Sequence, residues 1–321
     1  MRSYAELHVH IEGALEPELA FALAKKNKVE LPFANPGELR KAFKFETLQD
    51  FLDLYYANMA VLQTEEDFTE LANAYLAKAK AAGVTRAEIS CDLQAHLARG
   101  VPAEVVLSGL GAALSNSEKA YGISTGLILN FPQHLPVAEA EDAYAKALAT
   151  GTELLAVGVC LTQAGVSAAP FTTLFSKARG DGLHTVAHVG ADAGIDVVWE
   201  CLHSLRVGRI GSCAVEDRDL MYYLADYSIP LTVCPLANAA LHGAQQAQHP
   251  MPKLLEEGVV VTINSDAPAY FGGYLDANVA AVTKEFGLSE EQLDLLARNS
   301  FAGAFLAESK KAQLAAELIP A

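Results

Sequence analysis

Hydrophobic positions along this chain alternate between two patterns. Short runs rich in Val, Ile and Leu recur at about 4–11, 86–92, 124–131, 154–161, 184–190, 209–215, 230–238 and 259–266. Such compact apolar runs mark strands of a parallel sheet buried on both faces. Between them the spacing turns helical: EDAYAKALATGTELL, TTLFSKARGDG, VVWECLHSL, RDLMYYLADYS and PMPKLLEEG each carry an apolar stripe and a break at Gly, Ser or Pro. Eight strands with eight crossovers predict an α/β fold, a (β/α)8 TIM barrel, occupying residues 1–321 as a single domain. The first crossover, about 12–85, is far longer than the others and contains EPELAFALAKKN, LQDFLDLYYANMAVL and EEDFTELANAYLAKAKAAG. It is expected to be a helical insertion after strand one that caps the barrel mouth. SEEQLDLLARNSFAGAFLAESKKAQLAAEL reads as closing helices, and Trp199 as a core residue.

Composition narrows the partners. The 321 residues are 51% hydrophobic and 19% charged, enough for a full core. Lys and Arg total 23 against 39 Asp and Glu, a formal charge of -16. That field repels phosphate backbones and anionic headgroups, which argues against nucleic acid and membrane surfaces. No window reaches the roughly eighteen apolar residues of a spanning helix, and MRSYAELHVHIEG has no secretory h-region. The expectation is a cytoplasmic protein whose partner is a small molecule. The five Cys (Cys91, Cys160, Cys201, Cys213, Cys234) are odd in number and form no C-x-x-C, as expected of reduced thiols.

In barrels of this kind the chemistry lies where strands end. Strand one carries His8 and His10, two positions apart and so on one side of the strand; strand five ends with His188 and strand eight with Asp266. Three His and one Asp make a nitrogen and oxygen site for one divalent ion such as zinc (Zn2+). Any single His is equally well explained by a hydrogen bond at the barrel rim, but all four at strand ends are harder to obtain by chance.

ELHVHIEGALEPE, TVAHVG, RIGSC, PLTVCPLAN and VTINSDAPAYFGGY, in this order, resemble the adenosine and adenine deaminases of the metal-dependent amidohydrolase superfamily, with LQDFLDLYYA, PLTVCPL and SDAPAYFGGY nearest the bacterial adenine deaminases. The resemblance spans nearly the whole chain. It implies the same barrel and one metal, normally zinc, on His8, His10, His188 and Asp266, lowering the pKa of a water that attacks the purine carbon bearing the amino group. Glu12 matches a family position beside the substrate.

The departures fall on residues that handle protons. Where the family has His-Ala-Gly-Glu, this chain has His188-Val189-Gly190-Ala191, so Ala191 replaces the Glu that protonates the ring nitrogen. Ser212, in Gly211-Ser212-Cys213, stands where the family has a His that assists the attacking water. Ala267 replaces the carboxylate that binds N7, and Ala237 a serine in Cys-Pro-Leu-Ser-Asn. Cys160 on strand four and Cys91 on strand two, the latter in Ser90-Cys91-Asp92-Leu93, also depart from the family pattern. Positioned acid and base groups each contribute roughly a hundredfold to ten-thousandfold, so ordinary purine deamination is not expected.

Asp192 is a candidate to replace the missing Glu, though an N-cap ahead of AGIDVVWECL explains it better. Cys160 and Cys213 are better read as pocket lining than as nucleophiles, since the sequence shows no base to activate them. Three readings remain open: a divergent or redesigned metal-dependent hydrolase with a different substrate, an inactive or redesigned scaffold that binds metal and a small ligand, and an adenine or adenosine deaminase.

Overall fold

The computed structural model describes residues 2–163, 165–190, 193–213, 215–242 and 250–317. Eight parallel strands pair in sequence order: β1 (Tyr4–His10), β2 (Val84–Cys91), β3 (Ser124–Pro132), β4 (Ala156–Leu161), β5 (His184–Val189), β6 (Arg209–Gly211), β7 (Leu231–Val233) and β8 (Val261–Ile263). A bridge between Val9 and Asp266 brings the end of the eighth strand to the first. The sheet with its intervening helices is a (β/α)8 barrel, as the periodicity predicts.

The last three strands are shorter than the apolar runs suggest, and the backbone shows why. β6 ends at Gly211 because Ser212 takes a left-handed conformation, φ 60°. Asp266, at φ 61°, makes the same break beyond β8. β7 stops at Val233, and Pro235, with no N–H for a ladder, opens the helix Pro235–His242. Where the strands begin, a buried polar layer closes the barrel floor. Glu88 accepts from Arg86 Nη2 at 3.1 Å and Arg209 Nη1 at 2.6 Å, and from the Phe305 N–H at 2.7 Å.

Four helices lie between β1 and β2: α1 (Pro17–Asn27), α2 (Pro36–Lys41), α3 (Leu48–Asn58) and α4 (Glu65–Ala81). Capping boxes start α3 (Thr47 with Asp50) and α4 (Thr64 with Asp67). The apolar side of α3 packs Phe51 and Tyr55 with Tyr270 and Phe271 from the segment after β8, which seats this insertion over the mouth. Trp199 differs from expectation. It is only partly buried and stacks on the exposed His203 at 5.2 Å, because its helix turns that edge outward. No helix among the described residues is long and apolar enough to cross a membrane.

Candidate metal centre and cavity

The strand ends bring His8, His10 and His188 together. Ligand atoms of the three lie within 4.8 Å of one another, and His8 Nε2 is 3.1 Å from His188 Nδ1. Asp266 joins them through the barrel closure: its N–H donates to the His8 carbonyl at 3.0 Å and its carbonyl accepts from the His10 N–H at 2.8 Å. Its carboxylate shares a second group, again within 4.8 Å, with His8 and the Cys234 thiol. The His8 ring is oriented from behind, where Nδ1 is 2.8 Å from Thr232 Oγ1. Donation from Nδ1–H to that hydroxyl leaves Nε2 with its lone pair, the form a metal requires. Gly211 makes room for this pair, since a Cβ there would sit 2.6 Å from His8 Nδ1 and 2.8 Å from Thr232 Oγ1.

Burial, reinforced by the neighbouring imidazoles, holds His8 well below the usual histidine range. Burial likewise depresses His188, to about 4. Burial also works against charge on His10, but the Asp92, Asp266 and Glu12 carboxylates outweigh it and raise that ring to about 9. Two neutral imidazoles beside buried carboxylates form a donor set suited to a divalent cation.

The cluster opens into a cavity of about 310 Å³ beneath α3. His10, His188 and Asp266 form part of its floor; Phe51, Tyr55, Tyr56 and Phe271 supply aromatic walls, and Asp92, Asn130 and Asn238 polar points. No Lys or Arg among the described residues lines it, and the residues outside the description include neither type.

Of the residues singled out in the sequence, Cys160, Ser212 and Ala237 line this cavity. The Ser212 hydroxyl is buried and, among the described residues, makes no hydrogen bond to an oxygen or nitrogen. Glu12, Cys91, Cys213 and Ala267 are not on the wall. Glu12 is fully buried beneath it, accepting from the Asp92 N–H at 3.0 Å and paired with His96 Nε2 at 2.9 Å. Cys91 is buried beside Glu12 and His96. Cys213 faces a separate hollow near Val215 and Leu220, and Ala267 packs against the backbone at Gly13. Burial pushes the thiols of Cys91 and Cys160 well above the ordinary range, and that of Cys213 to about 12, which leaves them protonated. Ala191 and Asp192 lie outside the described residues; the helix that follows starts at Ile195 with Gly194 at its N-cap.

Sequence reasoning passed over Asp92, Asn130 and the tyrosines of α3. Asp92 follows β2 directly, the position at which His188 and Asp266 drew attention on other strands. Its signal was present in the sequence but lay inside a motif read for Cys91.

A family profile described as adenosine deaminase matches residues 4–321. The chain is 48% identical over 299 residues to an adenine deaminase of Ectopseudomonas mendocina (strain ymp), covering 92% of this chain and 95% of that protein. It is similar to the crystal structure of an adenine deaminase from Arthrobacter aurescens, with a TM-score of 0.96 and 42% identity over 99% of this chain and 98% of that one. A Burkholderia ambifaria amidohydrolase with bound Zn shares the fold, with a TM-score of 0.89 and 22% identity over 99% and 90% of the two chains.

Proposed function

The chain belongs to the adenosine deaminase family, and from that premise we propose that it holds one divalent cation, zinc, on His8, His10, His188 and Asp266 and is a hydrolase for a small, unphosphorylated heteroaromatic compound other than adenine or adenosine. The observation that carries this reading is the clustered imidazoles and Asp266 at the floor of a cavity whose wall bears Ser212 in place of an imidazole. When bound, such an ion acidifies a water or polarises a carbon–heteroatom bond.

The chain's own residues select and place the substrate. Phe51, Tyr55 and Phe271 offer flat apolar surface to a planar ring, while Asn130 and Asn238 offer paired donors and acceptors to its edge. The Ser212 hydroxyl, without an oxygen or nitrogen partner among the described residues, supplies a hydrogen bond to the ligand, and burying it unmade costs about 1–3 kcal/mol. Ser212 does not replace an imidazole in moving a proton, and Ala191 moves none. Asp192 is the carboxylate nearest in sequence to that position. A polyanion is disfavoured because no Lys or Arg among the described residues lines the cavity.

The similarity to adenine deaminases favours a second reading, adenine deamination. Ammonia release separates them. The proposal expects a chelator-sensitive hydrolysis, restored by zinc, on other amino- or oxo-substituted heterocycles, with adenine and adenosine far below about ten turnovers per second. Adenine turnover at that rate would establish the second reading. Tight ligand binding without turnover of any heterocycle would mean an inactive binding scaffold.

A further inference from the structure

Asp92 occupies the N-cap position of α5 (Leu93–Ala98), yet its side chain makes no capping bond. Aspartate at an N-cap ordinarily accepts from the first turn, a contact worth about 1 kcal/mol. Here the carboxylate faces the cavity floor, 2% exposed. Oδ1 accepts from Asn130 Nδ2 at 2.7 Å and stands 3.8 Å from His10 Nδ1. Oδ2 lies 3.4 and 3.5 Å from the hydroxyls of Tyr55 and Tyr56 on α3. Behind it, Glu12 Oε1 holds the Asp92 N–H and pairs with His96, whose Nδ1 is met by Arg99 Nη2 at 2.8 Å. One buried carboxylate therefore bonds a β3 amide and faces, at 3.4–3.8 Å, a β1 imidazole and two phenols of the cap.

We propose that Asp92 is a positioning residue for the metal centre: it fixes the His10 ring through Nδ1, leaving Nε2 to the ion, and ties that ring to α3 through Tyr55 and Tyr56. The cap and the centre are then mechanically linked, and loosening either lowers metal affinity. This rests on the ligand set proposed above. A carboxylate behind a ligating histidine sets its tautomer and orientation, and its loss typically lowers metal affinity by about ten- to a hundredfold.

The test is zinc affinity by chelator competition, together with the visible spectrum of the cobalt-loaded protein. Asp92→Ala and the near-isosteric Asp92→Asn are expected to weaken zinc binding by about ten- to a hundredfold and to shift the cobalt bands. Tyr55→Phe combined with Tyr56→Phe is expected to weaken binding less, and to add nothing in the Asp92→Ala background. Asp181→Asn, which alters a carboxylate that accepts from the Tyr144 hydroxyl outside both the cavity and the insertion, should change neither readout; equal loss in Asp181→Asn would reduce Asp92 to a structural role and overturn the inference. If Asp92→Ala does not fold, Asp92→Asn decides. Zinc affinity within twofold of the parent in folded Asp92→Asn, with binding abolished in His10→Ala, overturns this inference alone. An ion retained by His10→Ala overturns the ligand set as well.

Discussion

At the scale of single residues, the centre depends on side chains that are individually ordinary and jointly constrained. His8 is held by Thr232, Gly211 leaves space for that pair, and Asp266 reaches the cluster through a left-handed turn that a non-glycine residue adopts at some cost. Removing one of the four proposed ligands leaves a gap the others cannot close, so His8→Ala or Asp266→Ala should abolish the roughly one ion per chain expected of the parent, as read by elemental analysis. Full metal occupancy in both variants would show that the ligands are elsewhere. Ser212 is the second telling residue. Its left-handed backbone is one that histidine tolerates better than most side chains, so Ser212→His can be accepted without rebuilding the end of β6. Combined with Ala191→Glu and Ala267→Asp, it should produce measurable ammonia release from adenine or adenosine where the parent gives little. Partial recovery is expected, because Ala267 is fully buried and misplacement of about 1 Å costs about a hundredfold. A folded, metal-loaded triple variant with no gain over the parent would mean that the loops at the mouth do not have the geometry of the deaminases.

At the scale of elements, one carboxylate ties two helices of the insertion together. Asp67 at the start of α4 accepts from the backbone N–H of Gln63 and Thr64 at 2.9 and 2.8 Å and from Asn27 at 2.7 Å, and pairs with Lys26 at 2.9 Å, so α1 and α4 are joined there. Burial alone would raise its pKa, but Lys26 and the N–H donors bring it below the ordinary carboxylate value. A depressed folded-state pKa stabilises above the unfolded value, near 4, and that contribution is lost as pH falls through the folded value. Asp67→Ala should therefore cost about 2 kcal/mol at pH 7 and progressively less as pH falls below the ordinary carboxylate value, measured by denaturant unfolding. A pH-independent difference would show that Asp67 acts by packing alone. Three of the four helices of this insertion were legible in their apolar spacing, as was the strand order, because both follow periodicity; the short α2 (Pro36–Lys41) was not. The ends of β6 and β8 were not, since the left-handed turns at Ser212 and Asp266 leave no trace in hydrophobicity. The same loss of regular alternation hid which neighbour faces inward: Cys91 is buried beside Glu12, whereas Asp92, one residue on, lines the cavity. His8, His10, His188 and Asp266 could be grouped from sequence because strand order places their ends around a common mouth.

At the scale of the whole molecule, charge and cavity shape act together on substrate choice. The chain carries a formal charge of -16, and the cavity adds Asp92 and Asp266 near its floor and Glu46 at its exposed rim, with no Lys or Arg along the wall. A ligand phosphate would approach through a repulsive field and, once inside, find no guanidinium or ammonium partner. A charge-assisted hydrogen bond is worth about 1.5–3 kcal/mol, so a phosphate deprived of one loses about ten- to a hundredfold in affinity before desolvation is counted. A neutral base or nucleoside avoids both costs. Calorimetric titration of the zinc-loaded protein with adenine, adenosine and AMP should therefore show AMP binding at least tenfold more weakly than either unphosphorylated compound. Raising ionic strength toward 0.15 M, where the screening length falls to about 8 Å, should narrow that gap only in part, because repulsion across open solvent is screened while the missing partner inside the cavity is not replaced. AMP binding as tightly as adenosine would place a cation at the mouth and remove the charge argument for an unphosphorylated substrate.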